Sequence, residues 1–172
     1  MTIWNLQERL AEIIDMLLDR YPMGMRVLIG EADPPTIEEI YEMYAAGRGG
    51  NEPDVRVEGG ERVTRAEQMV FDSERFEEVV KRAGGWDHIN RTAQEWEAYN
   101  PNTWRVVEEH TKWDGRGAFR RLDEARMVTM AGRLGLAAET IRRYRREFPR
   151  DLAGVILRSC PKTRKNSISG AA

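Results

Sequence analysis

The sequence predicts an all-α protein, and three observations lead to that prediction. Its 172 residues, 41% apolar and 33% charged, are enough for one compact domain or two very small ones. Apolar side chains recur three and four residues apart along most of the chain, which is the period of an amphipathic helix. The longest run that alternates as a β-strand would is only Val55 to Val57.

Residues 1–46 predict an N-terminal helical region with two helices. The first covers residues 3–21, where acidic residues separate the apolar ones, and Pro22 and Gly24 interrupt it. The second begins at Thr36, whose hydroxyl would cap it while Glu39 completes a capping box. The side chains that we expect to be buried are Leu6, Leu10, Ile13, Ile14, Leu17, Leu18 and Tyr21 in the first helix and Ile37, Ile40, Tyr41 and Tyr44 in the second.

Residues 47–61 predict a flexible linker. The run from Gly47 to Gly60 holds five glycines and a proline among charged residues. Such a segment buries too little apolar surface to offset the entropy that is lost when a chain becomes ordered. We therefore expect a Gly-rich connection between the N-terminal region and a helical domain at 62–158.

Five helices are predicted in that domain. The first begins at the capping pair Thr64 and Glu67 and ends at the Gly84-Gly85 break, with its apolar positions running from Ala66 to Ala83. The remaining four are one marked by Ile89, Ala93 and Trp96 that ends near Asn100, one capped by Asn102 or Thr103, and two at about 119–134 and 137–148. Pro149 is expected to break the last one, before a further short turn at 151–157 and a disordered tail at 159–172.

Charge is distributed unevenly along the chain. Residues 1–111 carry 12 basic and 23 acidic residues, a net charge of −11, whereas residues 112–172 carry 15 basic and 6 acidic residues, a net charge of +9. An acidic body with a basic end is typical of proteins whose basic end faces nucleic acid. We expect the acidic half to contact protein rather than DNA.

One segment of the basic half, residues 127–146, has the pattern of a helix-turn-helix. Two helices that cross at a steep angle need a small residue near the crossing and a glycine in the turn, here Ala131 and Gly135. Ala137 stands where a serine or threonine usually caps the second helix. The side chains predicted to point into the angle are Met130, Leu134, Leu136, Ile141 and Tyr144, and those predicted to point outward are Ala138, Glu139, Arg142, Arg143 and Arg146.

The run from Trp104 to Arg146, with LGLAAETIRRYRR as its two-helix motif, resembles the promoter-reading helix-turn-helix of bacterial sigma factors and their relatives. The layout of the whole chain resembles phage late-gene transcription activators of the RinA and ArpU type. It shares a first helix ending in Tyr21-Pro22, a Gly-rich linker, a helix pair opened by Val63 to Glu67, and a C-terminal reader. The resemblance implies a bacterial or phage cytoplasmic regulator that binds promoter DNA.

The resemblance and the arginine pattern together give a set of expected DNA contacts. The resemblance implies that Glu139, Thr140, Arg142, Arg143 and Arg146 face the DNA, while Arg120, Arg121 and the KTRK run at 162–165 are interpreted as phosphate contacts. The full set of candidate DNA-binding residues is Arg133, Ala138, Glu139, Thr140, Arg142, Arg143, Arg146, Arg120 and Arg121. We expect double-stranded DNA as the partner, RNA polymerase and a homodimer partner as protein candidates, and no cofactor.

Enzyme classes find little support in the sequence. His88 and His110 lack cysteine or carboxylate partners at metal-binding spacings, and no phosphate-binding loop, dinucleotide fingerprint or nucleophile elbow occurs. The single cysteine, Cys160, allows no intrachain disulfide, and no apolar run is long enough to cross a membrane. We expect Trp96 and Trp104 to lie in the core rather than to stack on bases. We expect a cytoplasmic protein that is not an enzyme.

Two other functions remain open at this level. One is a phage DNA-packaging adaptor similar to a small terminase subunit, which would assemble into a ring and present its helix-turn-helix units to packaged DNA. The other is a helical adaptor whose arginine helix docks on an acidic protein. The assembly size in solution and the retention of DNA at low salt distinguish these alternatives from a regulator.

Overall fold

The computed structural model describes residues 3–48, 55–56, 62–110 and 124–161. These ranges contain eight α-helices and one two-residue antiparallel pair, which confirms the all-α prediction. The helices are α1 (Ile3–Arg20), α2 (Gly24–Leu28), α3 (Ile37–Gly47), α4 (Arg65–Arg82), α5 (Trp86–Tyr99), α6 (Pro101–His110), α7 (Glu124–Leu134) and α8 (Ala138–Arg158). In the pair, β1 (Val55–Arg56) and β2 (Arg62–Val63) place Val55 opposite Val63 and Arg56 opposite Arg62.

A single large hydrophobic core joins the helices on both sides of residues 47–61. The second half of α8 runs through this core, with Phe148 and Leu152 fully buried. The rings of Trp96 and Trp104 meet Phe148 edge-on, at centroid distances of 5.2 and 5.6 Å. Trp104 is buried in this core, as predicted, and Trp96 is partly buried and packs against it. The core also includes Leu10, Ile13, Ile14, Leu17 and Leu18 from α1, Ile40, Met43 and Tyr44 from α3, and Phe76, Val79, Val80 and Ala83 from α4 and its end.

Helix α1 ends where the sequence predicts, but the chain then forms an additional short helix, α2, that the sequence pattern did not reveal. The two helices come so close that a Cβ atom at Gly24 would lie 1.9 Å from the carbonyl oxygen of Leu17. Only glycine allows this approach, which brings Val27 and Leu28 into the core. The glycine that was interpreted as an interruption is therefore also a packing contact.

Both predicted caps are present. The hydroxyl of Thr36 accepts a hydrogen bond from the amide of Glu39, and the carboxylate of Glu39 accepts one from the amide of Thr36. The hydroxyl of Thr64 caps α4 in the same way, accepting from the amide of Glu67. These local bonds fix the start of α3 and of α4, because they satisfy amides that have no partner within the helix.

The capping box of α3 is also tied to the end of α1. Tyr21 donates a hydrogen bond to the carboxylate of Glu39, and burial, together with this carboxylate, raises the pKa of Tyr21 to about 12. Burial by itself would raise the pKa of Glu39, but the hydrogen bonds from Thr36 and Tyr21 outweigh it and lower that pKa. The stability that Glu39 contributes is thus present at neutral pH and is lost as the pH falls below the ordinary carboxyl pKa of 4.5.

A buried carboxylate joins α3 to α4. Asp72, on α4, is 3% exposed and accepts hydrogen bonds from Arg48 at 2.9 and 3.3 Å and from Gln68 at 2.9 Å. Arg48 immediately follows α3, so this ion pair joins the end of α3 to α4, which lies on the other side of residues 49–61 in the chain. The charge of a buried carboxylate is compensated only while its hydrogen-bonding partners are present.

The structure corrects four details of the sequence prediction. Pro149 does not end the last helix but lies buried inside α8. Ile37, predicted to be buried, is 51% exposed because it occupies the first turn of α3, and Val70 on α4 is 52% exposed. Helix α6 begins with Pro101 rather than with a cap at Asn102 or Thr103.

The predicted linker and tail fall largely outside the described residues. Of residues 47–61, the structure describes only the end of α3 and the pair formed by Val55 and Arg56. The prediction of disorder is wrong for Ser159 and Cys160. Cys160 is fully buried, and its Sγ lies 4.0 Å from the carbonyl oxygen of Arg82. Residues 162–172 lie beyond the described part.

No helix in the described part of the chain is both long and apolar enough to span a lipid bilayer.

The buried ion pair gives the first prediction. We expect Asp72→Asn to lower the free energy of unfolding by about 2 to 3 kcal/mol, because it removes the charge that Arg48 and Gln68 are arranged to meet. The loss is limited because the Arg48 side chain is 30% exposed and can reach water. Denaturant unfolding followed by circular dichroism measures the change.

Arg9→Gln is the matched control, since it breaks the exposed pair of Arg9 with Glu12 at 3.4 Å. We expect this variant to lose less than about 1 kcal/mol. Equal losses in the two variants would contradict a structural role for the buried pair.

Candidate nucleic-acid interface

Helices α6, α7 and α8 share a small second core. Val106, Met130 and Ile141, one from each helix, are almost completely buried in it. The side chains that pack around them are Met127, Ala131, Leu134, Leu136 and Tyr144. All five residues that were predicted to point into the angle of a helix-turn-helix therefore lie in or against this core.

The turn between α7 and α8 has the geometry that the motif needs. Gly135 has φ +66°, in the left-handed region that residues with a Cβ disfavour. The amide of Leu136 donates to the carbonyl oxygen of Ala131 at 3.0 Å, which is the longer of the two bonds of a Schellman helix end. Gly135 thus ends α7 and reverses the chain within three residues.

Helix α8 begins without a side-chain cap. Ala137 occupies the N-cap position in an extended conformation, with ψ 147°, and makes no capping hydrogen bond, as its residue type predicts. Glu139 in the first turn places a negative charge near the positive end of the helix dipole. The start of the helix is therefore held by the packing of Ile141 and by the turn.

The outward face of the first half of α8 is a basic surface. Arg142, Arg143 and Arg146 are all exposed there, together with Glu139, while the half-buried Ala138 and Thr140 lie at the helix start. Glu139 lies 3.6 Å from the guanidinium of Arg142, an exposed ion pair. The guanidinium of Arg143 lies 5.8 Å from the ring centroid of Tyr144.

Arg150 belongs to the same face, although the sequence analysis did not select it. It is exposed, and because α8 continues through Pro149 it lies one turn beyond Arg146. The spacings of three residues from Glu139 to Arg142, four from Arg142 to Arg146 and four from Arg146 to Arg150 were visible in the sequence. Arg150 was missed only because Pro149 was taken to end the helix. The arginine ridge, as this surface is called below, consists of Glu139, Arg142, Arg143, Arg146 and Arg150, which share about 100° of arc.

Arg133 ends α7 on an exposed position close to the turn. It makes no hydrogen bond or ion pair with the other described residues, which leaves its guanidinium available to a ligand. The predicted phosphate contacts of Arg120, Arg121 and the 162–165 run lie outside the described residues, as does the predicted start of α7 at residue 119.

Arg145 has a different role from its neighbours. Its side chain is only 14% exposed and turns toward α1, where it meets Asp15 at 3.3 Å and Asp19 at 2.5 Å. No local sequence pattern indicates these ion pairs, because the partners are more than 120 positions apart in the chain. Arg145 therefore ties the first half of α8 to the N-terminal helix.

Two acidic residues of α8 border the Arg143 side of the ridge, because Glu147 follows Arg143 by one turn and Asp151 follows Glu147 by another. Both are exposed. Burial, and then the charge of Glu147, raises the pKa of Asp151. The arginine ridge therefore has carboxylates of its own helix along one side.

The described residues do not have the geometry of a metal-binding site. No group of three or more His, Cys, Asp or Glu side chains there could hold a metal ion. The imidazole Nε2 of His88 lies 2.9 Å from the carbonyl oxygen of Ile156, so this ring links α5 to α8. The side chains of His110 and Trp113 are outside the described part.

Comparison with known protein families, with curated proteins and with solved structures found no match to this chain.

Two glycines of the helix-turn-helix provide a paired test of the turn. We expect Gly135→Ala to lower the free energy of unfolding by about 1 kcal/mol, because alanine is strained at positive φ. Gly132→Ala, inside α7, should raise it by about 0.5 to 1 kcal/mol, since a Cβ there meets no atom within 4 Å. Thermal unfolding of both variants checks the prediction. An unchanged or higher free energy of unfolding in Gly135→Ala would show that the turn does not require glycine.

Proposed function

We propose that this protein is a sequence-specific double-stranded DNA-binding transcription regulator that reads the major groove with the first half of α8. The observation that carries the proposal is the division of this helix into two faces. Ile141 is fully buried against α6 and α7, while the arginine ridge is exposed on the opposite side. A helix held by its apolar face with guanidinium groups outward is suited to enter a groove of DNA.

The dimensions of the ridge suit the major groove. From Glu139 to Arg150 the ridge extends for about 16 Å, at 1.5 Å per residue, which corresponds to about five base-pair steps. The groove is about 12 Å wide and admits one helix. Ala138 and Thr140 are small, so the start of α8 can approach the groove closely.

The arginines divide into two roles in this proposal. Arg142 and Arg143, near the start of the helix, donate planar pairs of hydrogen bonds to guanine edges. Arg133, Arg146 and Arg150, at the margins, bind phosphates, which strengthen binding without selecting a sequence. Glu139 is placed to accept a hydrogen bond from a cytosine amine.

We extend the proposal to a phage or prophage late-gene activator that works with RNA polymerase. The support is the resemblance in the layout of the chain and the acidic N-terminal half, whose charge disfavours contact with DNA. Run-off transcription from a selected DNA site, with bacterial RNA polymerase present, tests this part. An increase in transcript on addition of the protein supports an activator, and a decrease would make it a repressor.

Alanine variants test the base contacts. Selection from random double-stranded DNA first identifies a preferred site. We expect Arg142→Ala and Arg143→Ala each to weaken binding to that site by about 1 to 3 kcal/mol and to weaken binding to random duplex less.

Arg26→Ala is the matched control, since Arg26 is an exposed arginine on α2, which packs on α1 and α5. We expect it to leave both affinities within a factor of about two. If Arg142→Ala or Arg143→Ala loses the same affinity for both duplexes, that arginine contacts the DNA backbone rather than a base. Absence of binding to any duplex at low salt would favour a helical adaptor for acidic proteins.

Salt dependence tests the phosphate contacts. With about five phosphate contacts, log affinity should fall against log salt concentration with a slope of about −4 to −5. Arg146→Ala and Arg150→Ala should each reduce the magnitude of this slope by about 1. Fluorescence anisotropy across a salt series measures the slopes, and an affinity that is insensitive to salt would contradict the proposed function.

A further inference from the structure

Four carboxylates form a straight line along α1. Glu8, Glu12, Asp15 and Asp19 follow one another at spacings of four, three and four residues, which places them within about 60° of arc on the helix surface. We call this set the acidic stripe. None of these residues is buried, since the stripe lies beside the apolar face of α1 that enters the core.

The acidic stripe lies directly beside the arginine ridge. With Arg145, Arg146 and Arg150 of α8 it lines an open cleft of about 640 Å³. The amide of Gln7 donates to the carbonyl oxygen of Arg150 at 3.5 Å, while Asp19 meets Arg145. The two helices therefore run antiparallel, and negative charge borders one flank of the ridge.

The two ends of the stripe differ in how their charge is compensated. Asp15 and Asp19 both form ion pairs with Arg145, and the opposite charges compensate one another. Glu8 has no ion pair with another described residue, and the two contacts of Glu12, with Arg9 at 3.4 Å and Arg75 at 3.8 Å, are exposed. The end of the stripe nearest Arg150 thus keeps negative charge that is not neutralised by a buried partner.

A duplex seated on the ridge has one phosphate backbone on each side of α8. On the side of α1, that backbone would meet the four carboxylates of the acidic stripe, whereas on the side of Arg143 it would meet Glu147 and Asp151 of α8 itself. Unit charges interact over about 8 Å at physiological salt, so the stripe acts on phosphates that approach the α1 flank. A duplex bound loosely, in many positions, approaches it more often than one fixed by base contacts.

Building on the proposed function, we propose that the acidic stripe of α1 is a specificity determinant that disfavours non-specific duplex at the ridge. It acts by repelling phosphates on the α1 flank, so that a duplex without base contacts to Arg142 and Arg143 is held less tightly. Part of the discrimination between sites therefore comes from a helix that does not touch the bases.

The test compares two pairs of substitutions in the full chain. Glu8→Gln/Glu12→Gln removes two charges from the stripe without disturbing Arg145. Glu38→Gln/Glu42→Gln removes two exposed charges at the same spacing from α3, which packs on α1 and α4. The affinities for the selected site and for a random-sequence duplex are measured by fluorescence anisotropy at about 0.1 M salt.

We expect Glu8→Gln/Glu12→Gln to bind random duplex about threefold more tightly and the selected site less than twofold more tightly. The α3 variant should change neither of these two affinities. Glu8→Lys, which reverses one charge, should act in the same direction as the stripe variant. An equal gain on both duplexes, an equal gain in the α3 variant, or no gain at all would overturn the inference while leaving DNA binding in place. Failure of the unaltered protein to bind any duplex would instead overturn the proposed function.

Discussion

The continuity of α8 is the constraint on which the rest of the structure depends. This helix has 21 residues and is about 31 Å long, and its two halves do different things. The first half is supported by the small core around Ile141 and presents the arginine ridge. The second half, with Phe148 and Leu152, is the centre of the large core. The orientation of the ridge is therefore fixed by the packing of the whole body.

Pro149 stands at the join of these halves and is tolerated for a physical reason. Its missing amide removes one bond of the helix ladder, to the carbonyl of Arg145, and such a loss usually ends or bends a helix. Here the proline is buried, and Phe148 before it and Leu152 after it are also buried, so packing compensates for the lost bond. The turn that contains it is also the turn in which Arg145 binds Asp15 and Asp19 of α1. A weak point in the helix ladder is thus held by a contact with another helix.

The sequence predicted the local structure better than the distant contacts. The caps at Thr36 and Thr64, the turn at Gly135 and the inward set around Ile141 depend on residues within a few positions of one another, and each was found where predicted. Pro149 was misread because propensity describes an isolated helix, whereas packing decides this one.

The features that the sequence did not predict are contacts between residues that are distant in the chain. The partners of Arg145 and of Asp72, and the burial of Cys160, depend on which helices meet in space. Arg150 is an intermediate case, since its spacing was visible but its place on the ridge depended on the helix continuing. The sequence therefore predicted the type of the candidate site and most of its residues. The extent of the site and the acidic residues beside it became visible only in the folded structure.

The uneven charge of the chain acquires a structural meaning in this arrangement. Helices α1 and α8 are distant in sequence, yet they lie side by side, so acidic and basic side chains meet along one cleft. Asp15 and Asp19 hold the helix that carries the ridge, and the same row of carboxylates borders that ridge with negative charge. Opposite charges attract across the contact and stabilise the orientation of α8, while the remaining negative charge faces outward, where a polyanion would approach. The fixed orientation of α8 and the negative charge beside the arginine ridge are therefore two consequences of one helix pair.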